Sequence, residues 1–242
     1  MRIDERRPIN IEPGSSTAFP FNAKYRLNRI AKYVKGGDWL DYGCADGGYT
    51  ASLLELGANS VVGIDAEASR VVEARQKHPD ISFYSYDDGH VLPDNSFDGV
   101  FMNEVFEHVQ DEDETLREVF RMLRPGGILV LICPNRGFPF EGHTMHIGSW
   151  TSKWPMPLVP WLPHSITGAW VTARNYWPGE LRDQVRTHGF TIIEAGFVMP
   201  VFEGYQWIPT RLVEVFRSRI TAIDHMPLIS RLGVSNLVIG RK

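Results

Sequence analysis

Asp41-Tyr42-Gly43-Cys44-Ala45-Asp46-Gly47-Gly48 sits between a short apolar run, Trp39-Leu40, and an amphipathic stretch, Tyr49 to Leu56, closed by Gly57. Trp39-Leu40-Asp41-Tyr42 predicts a strand and the stretch a helix, so the segment reads as strand, glycine loop, helix. Glycines let a backbone turn sharply and approach a ligand, and the following helix aims free N–H groups and a positive dipole end at it. Gly43-x-Ala45-x-x-Gly48 also fits a relaxed dinucleotide fingerprint, a weak signal by itself. Asp41 discriminates, because a carboxylate at the strand tip suits a ligand with an ammonium group and sits badly beside a pyrophosphate.

Outward from this loop the pattern alternates. Ser60 to Asp65 reads as a strand, Glu67 to Gln76 as a helix, Ile81 to Tyr86 and Phe97 to Asn103 as strands. Leu116, Val119, Phe120 and Leu123 recur at helical spacing, behind Asp111, Glu112, Asp113 and Glu114, where the helix dipole favours carboxylates. Pro125-Gly126-Gly127 is expected to break that helix, and Ile128 to Cys133 is a continuous apolar run, as in a strand covered on both faces. Upstream, Tyr25, Leu27, Ile30, Ala31 and Val34 predict a helix over Ala23 to Lys35. Downstream, a helix at Leu181 and Val185, a strand Phe190 to Val198, a helix Pro209 to Ala222 and a strand Val234 to Gly240 complete the series. The expected fold is α/β: a doubly wound, seven-stranded, mostly parallel sheet with flanking helices. In such sheets ligands bind outside the carboxyl ends of the strands, where strand order reverses.

Gly137 to Trp170 interrupts the rhythm with Glu141 and Lys153 as its only formal charges. Five of seven tryptophans lie between Trp150 and Trp177, and seven of sixteen prolines between Pro134 and Pro178. Such a segment reads as a packed subdomain, a lid over a binding site, or an interfacial surface. The shortage of cations disfavours lipid headgroups, leaving a lid as the expectation. The chain is therefore expected to be a single domain over residues 1–242: a ligand-binding half at 23–135, an aromatic lid insertion after strand five at 136–178, and the rest of the sheet at 179–242.

Composition narrows the function. Lys and Arg number 25 against 29 Asp and Glu, a net charge of −4 that disfavours a broad nucleic-acid surface. Two cysteines, Cys44 and Cys133, cannot form a disulfide framework and read as reduced, buried thiols. No apolar run reaches membrane-span length, and Met1 to Pro20, with Arg2, Asp4, Glu5, Arg6 and Arg7, lacks a signal-peptide core. A cytoplasmic protein is expected; composition leaves its oligomeric state open.

Three acids end successive strands. Asp41 suits an ammonium group, Asp65 the two hydroxyls of a ribose, and Asp88-Gly89 an exocyclic adenine amine. Here the sequence resembles the class I S-adenosylmethionine-dependent methyltransferases, with a Rossmann-like fold. Trp39 to Gly47 resembles their first motif, with Ala45 where Gly is common, and Val62-Gly63-Ile64-Asp65 their second strand. Asp88-Gly89-x-x-Leu92-Pro93-Asp94-Asn95-Ser96-Phe97-Asp98 resembles the third motif, and Leu123-Arg124-Pro125-Gly126-Gly127 the turn before strand five. The resemblance implies S-adenosyl-L-methionine as cofactor. Asp41, Gly43 and Gly47 would hold its methionine part, Asp65 the ribose, and Asp88 with Gly89 the adenine.

Methyl transfer needs an aligned acceptor and, for a hydroxyl, a base or a metal. His108 and His143 are the candidate bases. Glu104, Glu107 and His108 match the Glu-x-x-Glu-His run that ubiquinone-type O-methyltransferases associate with a divalent cation, so the resemblance offers Mg2+ at these residues as a secondary reading. O-methylation of a quinone precursor, sugar or secondary metabolite is the expected activity. N- or C-methylation, or a non-catalytic relative binding a partner through the tryptophan-rich segment, are the alternatives. A nicotinamide-dependent oxidoreductase would leave Asp41 and Asp88-Gly89 without a role.

Overall fold

The structure is a computed structural model, described for residues 20–86, 92–152, 155–171, 173–202, 208–224 and 226–242. The first half runs α1 (Pro20–Ile30), β1 (Asp38–Tyr42), α2 (Gly48–Glu55), β2 (Ser60–Asp65), α3 (Ala68–Lys77), β3 (Ser82–Ser85), β4 (Phe97–Asn103), α4 (Glu112–Met122) and β5 (Leu123–Pro134). Four two-residue strands follow, β6 (Phe140–Glu141), β7 (His146–Ile147), β8 (Trp150–Thr151) and β9 (Met156–Pro157), then the short α5 (His164–Thr167). The chain closes with α6 (Pro178–Thr187), β10 (Thr191–Val198), α7 (Thr210–Ser218), α8 (Ile220–Asp224) and β11 (Ser235–Arg241).

Seven strands form one sheet in the order β10-β11-β5-β4-β1-β2-β3. β1 to β5 are mutually parallel, and β11 runs antiparallel between β5 and β10. Strand order reverses at β1, flanked by β2 on one side and β4 on the other, so the crevice lies at their carboxyl ends. Side chains of a strand alternate between faces. Val100, Met102, Leu129 and Leu131 accordingly pack with Leu116 and Val119 of α4 on one face. Phe101, Val130 and Ile132 pack with Trp39, Ile30 of α1 and Leu53 of α2 on the other. Two covered faces explain why Ile128 to Cys133 is apolar without interruption.

α4 begins as its acids imply: the Asp111 side chain accepts the Glu114 backbone N–H at 2.8 Å, capping the first turn. Three boundaries differ from expectation. α1 stops at Ile30, where a tighter turn carries the Tyr33 N–H to the Ile30 carbonyl at 2.8 Å. Pro125-Gly126-Gly127 does not separate helix from strand; β5 starts at Leu123 and absorbs the turn as a register shift against β4, from Phe97–Leu123 to Gly99–Ile128. Lys242 holds this bulge, with Gly126 N–H on the Lys242 carbonyl and Lys242 N–H on the Gly127 carbonyl. Residues 209–222, expected as one helix, form α7 and α8 with a break at Arg219.

The insertion makes two small antiparallel pairs, β6 with β9 and β7 with β8, over a cluster of Met145, Val159, Val171 and Ala173 backed by Met156 and Trp170. Trp150, Trp161 and Trp177 remain about half exposed on its outside. Trp154 lies outside the described residues. Among the described residues no helix is long and apolar enough to cross a membrane.

Candidate active site

β1 delivers the glycine loop to the crevice. Gly43 N–H and Cys44 N–H both donate to the Ile64 carbonyl, at 2.7 and 2.9 Å, folding the loop over the end of β2. This path requires left-handed backbone at Gly43 (φ 83°), Ala45 (φ 47°) and Gly47 (φ 84°). A Cβ on Gly43 would lie 2.2 Å from a Val105 methyl carbon, so the loop rests directly on the turn after β4. Ala45 accepts the conformation at a cost of about 1–2 kcal/mol. Ala45→Gly is therefore expected to leave stability unchanged or raise it by up to about 1 kcal/mol, after the extra unfolded-state entropy of glycine. Denaturant unfolding checks this, and a loss above about 1 kcal/mol would contradict it.

The acids gather beneath the loop. Asp41, 2% exposed, accepts the Thr50 hydroxyl at 2.6 Å, one turn into α2. Burial pushes its carboxyl up to about 7; Thr50 opposes this, and the charges of Asp65 and Asp46 add to it. Asp65 accepts the Ala45 N–H at 2.8 Å through one oxygen and the Glu67 N–H at 2.9 Å through the other. Burial raises its pKa against these two bonds. Asp46 is paired with Lys77 at 2.8 Å. Crowded, buried carboxylates of this kind are relieved by a cationic ligand, which favours their ionised forms. Asp88 and Gly89 lie outside the described residues. Cys44 and Cys133 are buried free thiols whose pKa values burial raises, which removes them as nucleophiles.

The turn after β4 holds Glu104, Glu107 and His108 in different settings. Glu104 is left-handed (φ 55°) and pairs through Oε1 with Arg26 Nη1 at 2.7 Å, while the Ser235 hydroxyl donates to the same oxygen at 2.5 Å. Arg26 also reaches Asn22, Asn103 and Ser235. Burial would raise the Glu104 pKa, but the guanidinium holds it below the usual range. Glu107 is 1% exposed and hydrogen-bonds the Glu104 side chain. Burial, then the Glu104 charge, raises its pKa well above the usual range. Burial, then His143, lowers His108 to about 4, so its imidazole is neutral at physiological pH.

His143 arrives from the β6–β7 loop. Its ring Nδ1 lies 2.7 Å from Glu141 Oε1, which also accepts the His143 N–H at 2.9 Å; Asn175 Nδ2 donates to Oε2 at 2.7 Å. Burial opposes ionisation of Glu141, yet the bonds from His143 and Asn175 keep its pKa below the ordinary value. An ionised acceptor orients the His143 ring through Nδ1, so Nε2 carries the lone pair whenever the imidazole is neutral. The His108 and His143 rings meet edge-on with centroids 5.6 Å apart. The far end of the insertion clamps this turn, through Arg174 to the Val109 carbonyl at 2.8 Å and Glu112 at 2.9 Å, and through Tyr176 to the Phe106 carbonyl at 3.2 Å.

The structure thus brings together His108 and His143, the two rival candidate bases. It corrects the Glu104–Glu107–His108 grouping. Glu104 turns to Arg26, and the donor atoms within 4.8 Å of one another belong to Glu107, His108 and His143. One carboxylate and two imidazoles do not suit Mg2+, which prefers an octahedron of oxygens. Sequence reasoning missed Arg26, Thr50 and Asn175 outright. The Glu141-x-His143 spacing was a visible sign of the orienting carboxylate.

Residues 40–131 match the model of the methyltransferase domain family. A probable S-adenosylmethionine-dependent methyltransferase of Mycolicibacterium smegmatis is 36% identical over 109 residues, 45% of this chain and 42% of the relative. One of Mycobacterium tuberculosis is 28% identical over 207 residues, 81% of this chain and 71% of the relative. A ubiquinone biosynthesis O-methyltransferase of Chelativorans sp. is 33% identical over 131 residues, 52% of this chain and 51% of the relative. The chain thus spans about half or less of two of these relatives. Among solved structures, an S-adenosylmethionine-dependent methyltransferase from Mesorhizobium loti superposes with a TM-score of 0.61 at 21% identity, covering 91% of this chain and 98% of that one.

Proposed function

We propose, from the premise that this chain belongs to the class I S-adenosylmethionine-dependent methyltransferases, that it methylates a hydroxyl of a small or lipid-like molecule. The oriented Glu141–His143 pair beside His108, at the crevice next to the glycine loop, carries this reading. When bound, S-adenosylmethionine supplies a methyl group already activated by its sulfonium charge, so the protein has to align the acceptor and take one proton. A carboxylate acceptor would need no base. A hydroxyl does, and His143 Nε2 offers one, with Glu141 stabilising the imidazolium that forms. The O-methyltransferase relative supports an oxygen acceptor. The insertion would wall the acceptor side, because residues 174–176 already bind the turn bearing His108.

In this reading Asp41, Gly43 and Gly47 hold the methionine end, Asp65 the ribose, and Asp88 with Gly89 the adenine. Calorimetry tests the cofactor claim. S-adenosylhomocysteine is expected to bind, NAD not to bind, and Asp65→Ala to weaken binding at least about tenfold, the equivalent of ~1.4 kcal/mol. Preference for NAD would overturn the reading.

Proton linkage supplies a sharper test. Asp41 is protonated below about pH 7 in the free protein, and a ligand ammonium favours its ionised form. Binding therefore releases a proton, and S-adenosylhomocysteine affinity is expected to fall by up to about tenfold per unit as pH drops from 7 to 5. Unchanged affinity over that range would separate Asp41 from the ammonium. Stability of the free protein has the opposite sign. The raised Asp41 pKa contributes fully below its ordinary value of 3.8, and the contribution is lost as pH rises through about 7. Once an acceptor is found, His143→Ala is expected to slow transfer by about 10²–10⁴-fold with S-adenosylhomocysteine affinity retained.

A further inference from the structure

We propose that Glu107, His108 and His143 form a binding site for a first-row transition-metal dication, with Zn2+ or Co2+ as the fitting ions, separate in donor set from the Mg2+ site that the Glu-x-x-Glu-His run suggests. Three observations carry it. One donor atom from each residue lies within 4.8 Å of the other two, and the Glu107 Oε1 to His108 Nε2 distance is 3.9 Å. Glu107 is 1% exposed beside the Glu104 carboxylate, and the repulsion between two such acids is what a cation relieves. Glu141 accepts from His143 Nδ1 and is itself held by Asn175, the carboxylate–histidine arrangement that orients a metal-binding imidazole through its other nitrogen.

The geometry requires modest contraction. Ligand atoms about 2.1 Å from a tetrahedral ion are about 3.4 Å apart. His108 follows Glu107 in one 3-10 turn and His143 lies on the separate loop between β6 and β7, so the contraction brings these two segments closer. Two imidazoles and one carboxylate favour zinc, cobalt or iron over magnesium or calcium, and the set leaves a position open for a further ligand. An ion there takes the Nε2 lone pair on which the proposed base depends. Resting on the base assignment, metal loading and base catalysis by His143 therefore exclude each other.

Co2+ titration of the tag-free, chelator-treated full chain tests the site, read by visible absorption and calorimetry. One equivalent is expected to bind with a d–d spectrum, displaced by Zn2+. His143→Ala is expected to weaken binding at least tenfold, and Glu107→Gln to do the same. His146→Ala, which removes an exposed histidine three residues away, is expected to leave binding unchanged. S-adenosylhomocysteine binding reports whether each variant is folded. Absence of a one-equivalent Co2+ signal in protein that binds S-adenosylhomocysteine, or a signal equally strong in folded His143→Ala, would overturn the proposal. Failure of the base reading shows separately: Zn2+ would then leave methyl transfer uninhibited while the Co2+ spectrum persists.

Discussion

Arg26→Ala is expected to destabilise the protein by about 3 kcal/mol, toward the lower end of the range for breaking a buried ion pair. Arg26 is 6% exposed and bonds Asn22, Asn103, Glu104 and Ser235, so it joins α1, the end of β4 and β11. Its loss leaves the Glu104 carboxylate without its cation, in a turn where that residue is already left-handed. For a chain of this length the loss corresponds to a fall in Tm of about 6–12 °C. Thermal unfolding measures it. Adding Glu104→Gln to Arg26→Met should recover most of the stability, because no charge is then stranded. A single variant within about 1 kcal/mol of the parent would show that the cluster does not anchor the turn.

Gly43→Ala should have an effect of similar size and a larger functional consequence. The added Cβ would sit 2.2 Å from Val105 and meet a φ of 83° that L side chains avoid. Overpacking and left-handed strain together cost about 2–5 kcal/mol. Val105 starts the turn that carries His108, so relief of the clash moves the loop, the turn or both. S-adenosylhomocysteine affinity is expected to fall at least about 100-fold, a loss of ~2.7 kcal/mol. Combining Gly43→Ala with Val105→Ala should restore part of the stability by making room, while the backbone strain remains. Native affinity in Gly43→Ala would show that the loop does not rely on this close approach. Ala45→Gly gives the contrasting outcome, since there a side chain already occupies left-handed backbone.

The strand–loop–helix unit was legible because its signals are local. Glycine spacing, the Asp41 and Asp65 strand tips and the capping acids of α4 each act within a few residues. The two-faced burial of β5 was equally plain in its unbroken apolar run. Boundaries failed where a distant residue intervened. The Lys242 backbone converts the Pro125-Gly126-Gly127 break into a bulge, and no pattern near residue 125 announces that partner. The fate of Glu104 was hidden for the same reason, its cation lying 78 positions earlier in α1.

The sequence by itself determined the alternating α/β order, the place of the crevice and the acids at the strand ends. These follow from periodicity and from residues adjacent in the chain. Only the tertiary structure decided which of three candidate side chains near β4 face one another. It paired Glu104 with Arg26, buried Glu107, and brought His143 from 35 positions downstream to His108. The physical reason is that ligand sets and base dyads are fixed by directions and distances between side chains on different elements. A linear motif sets which groups exist; packing of the β4 turn against the insertion sets which of them meet.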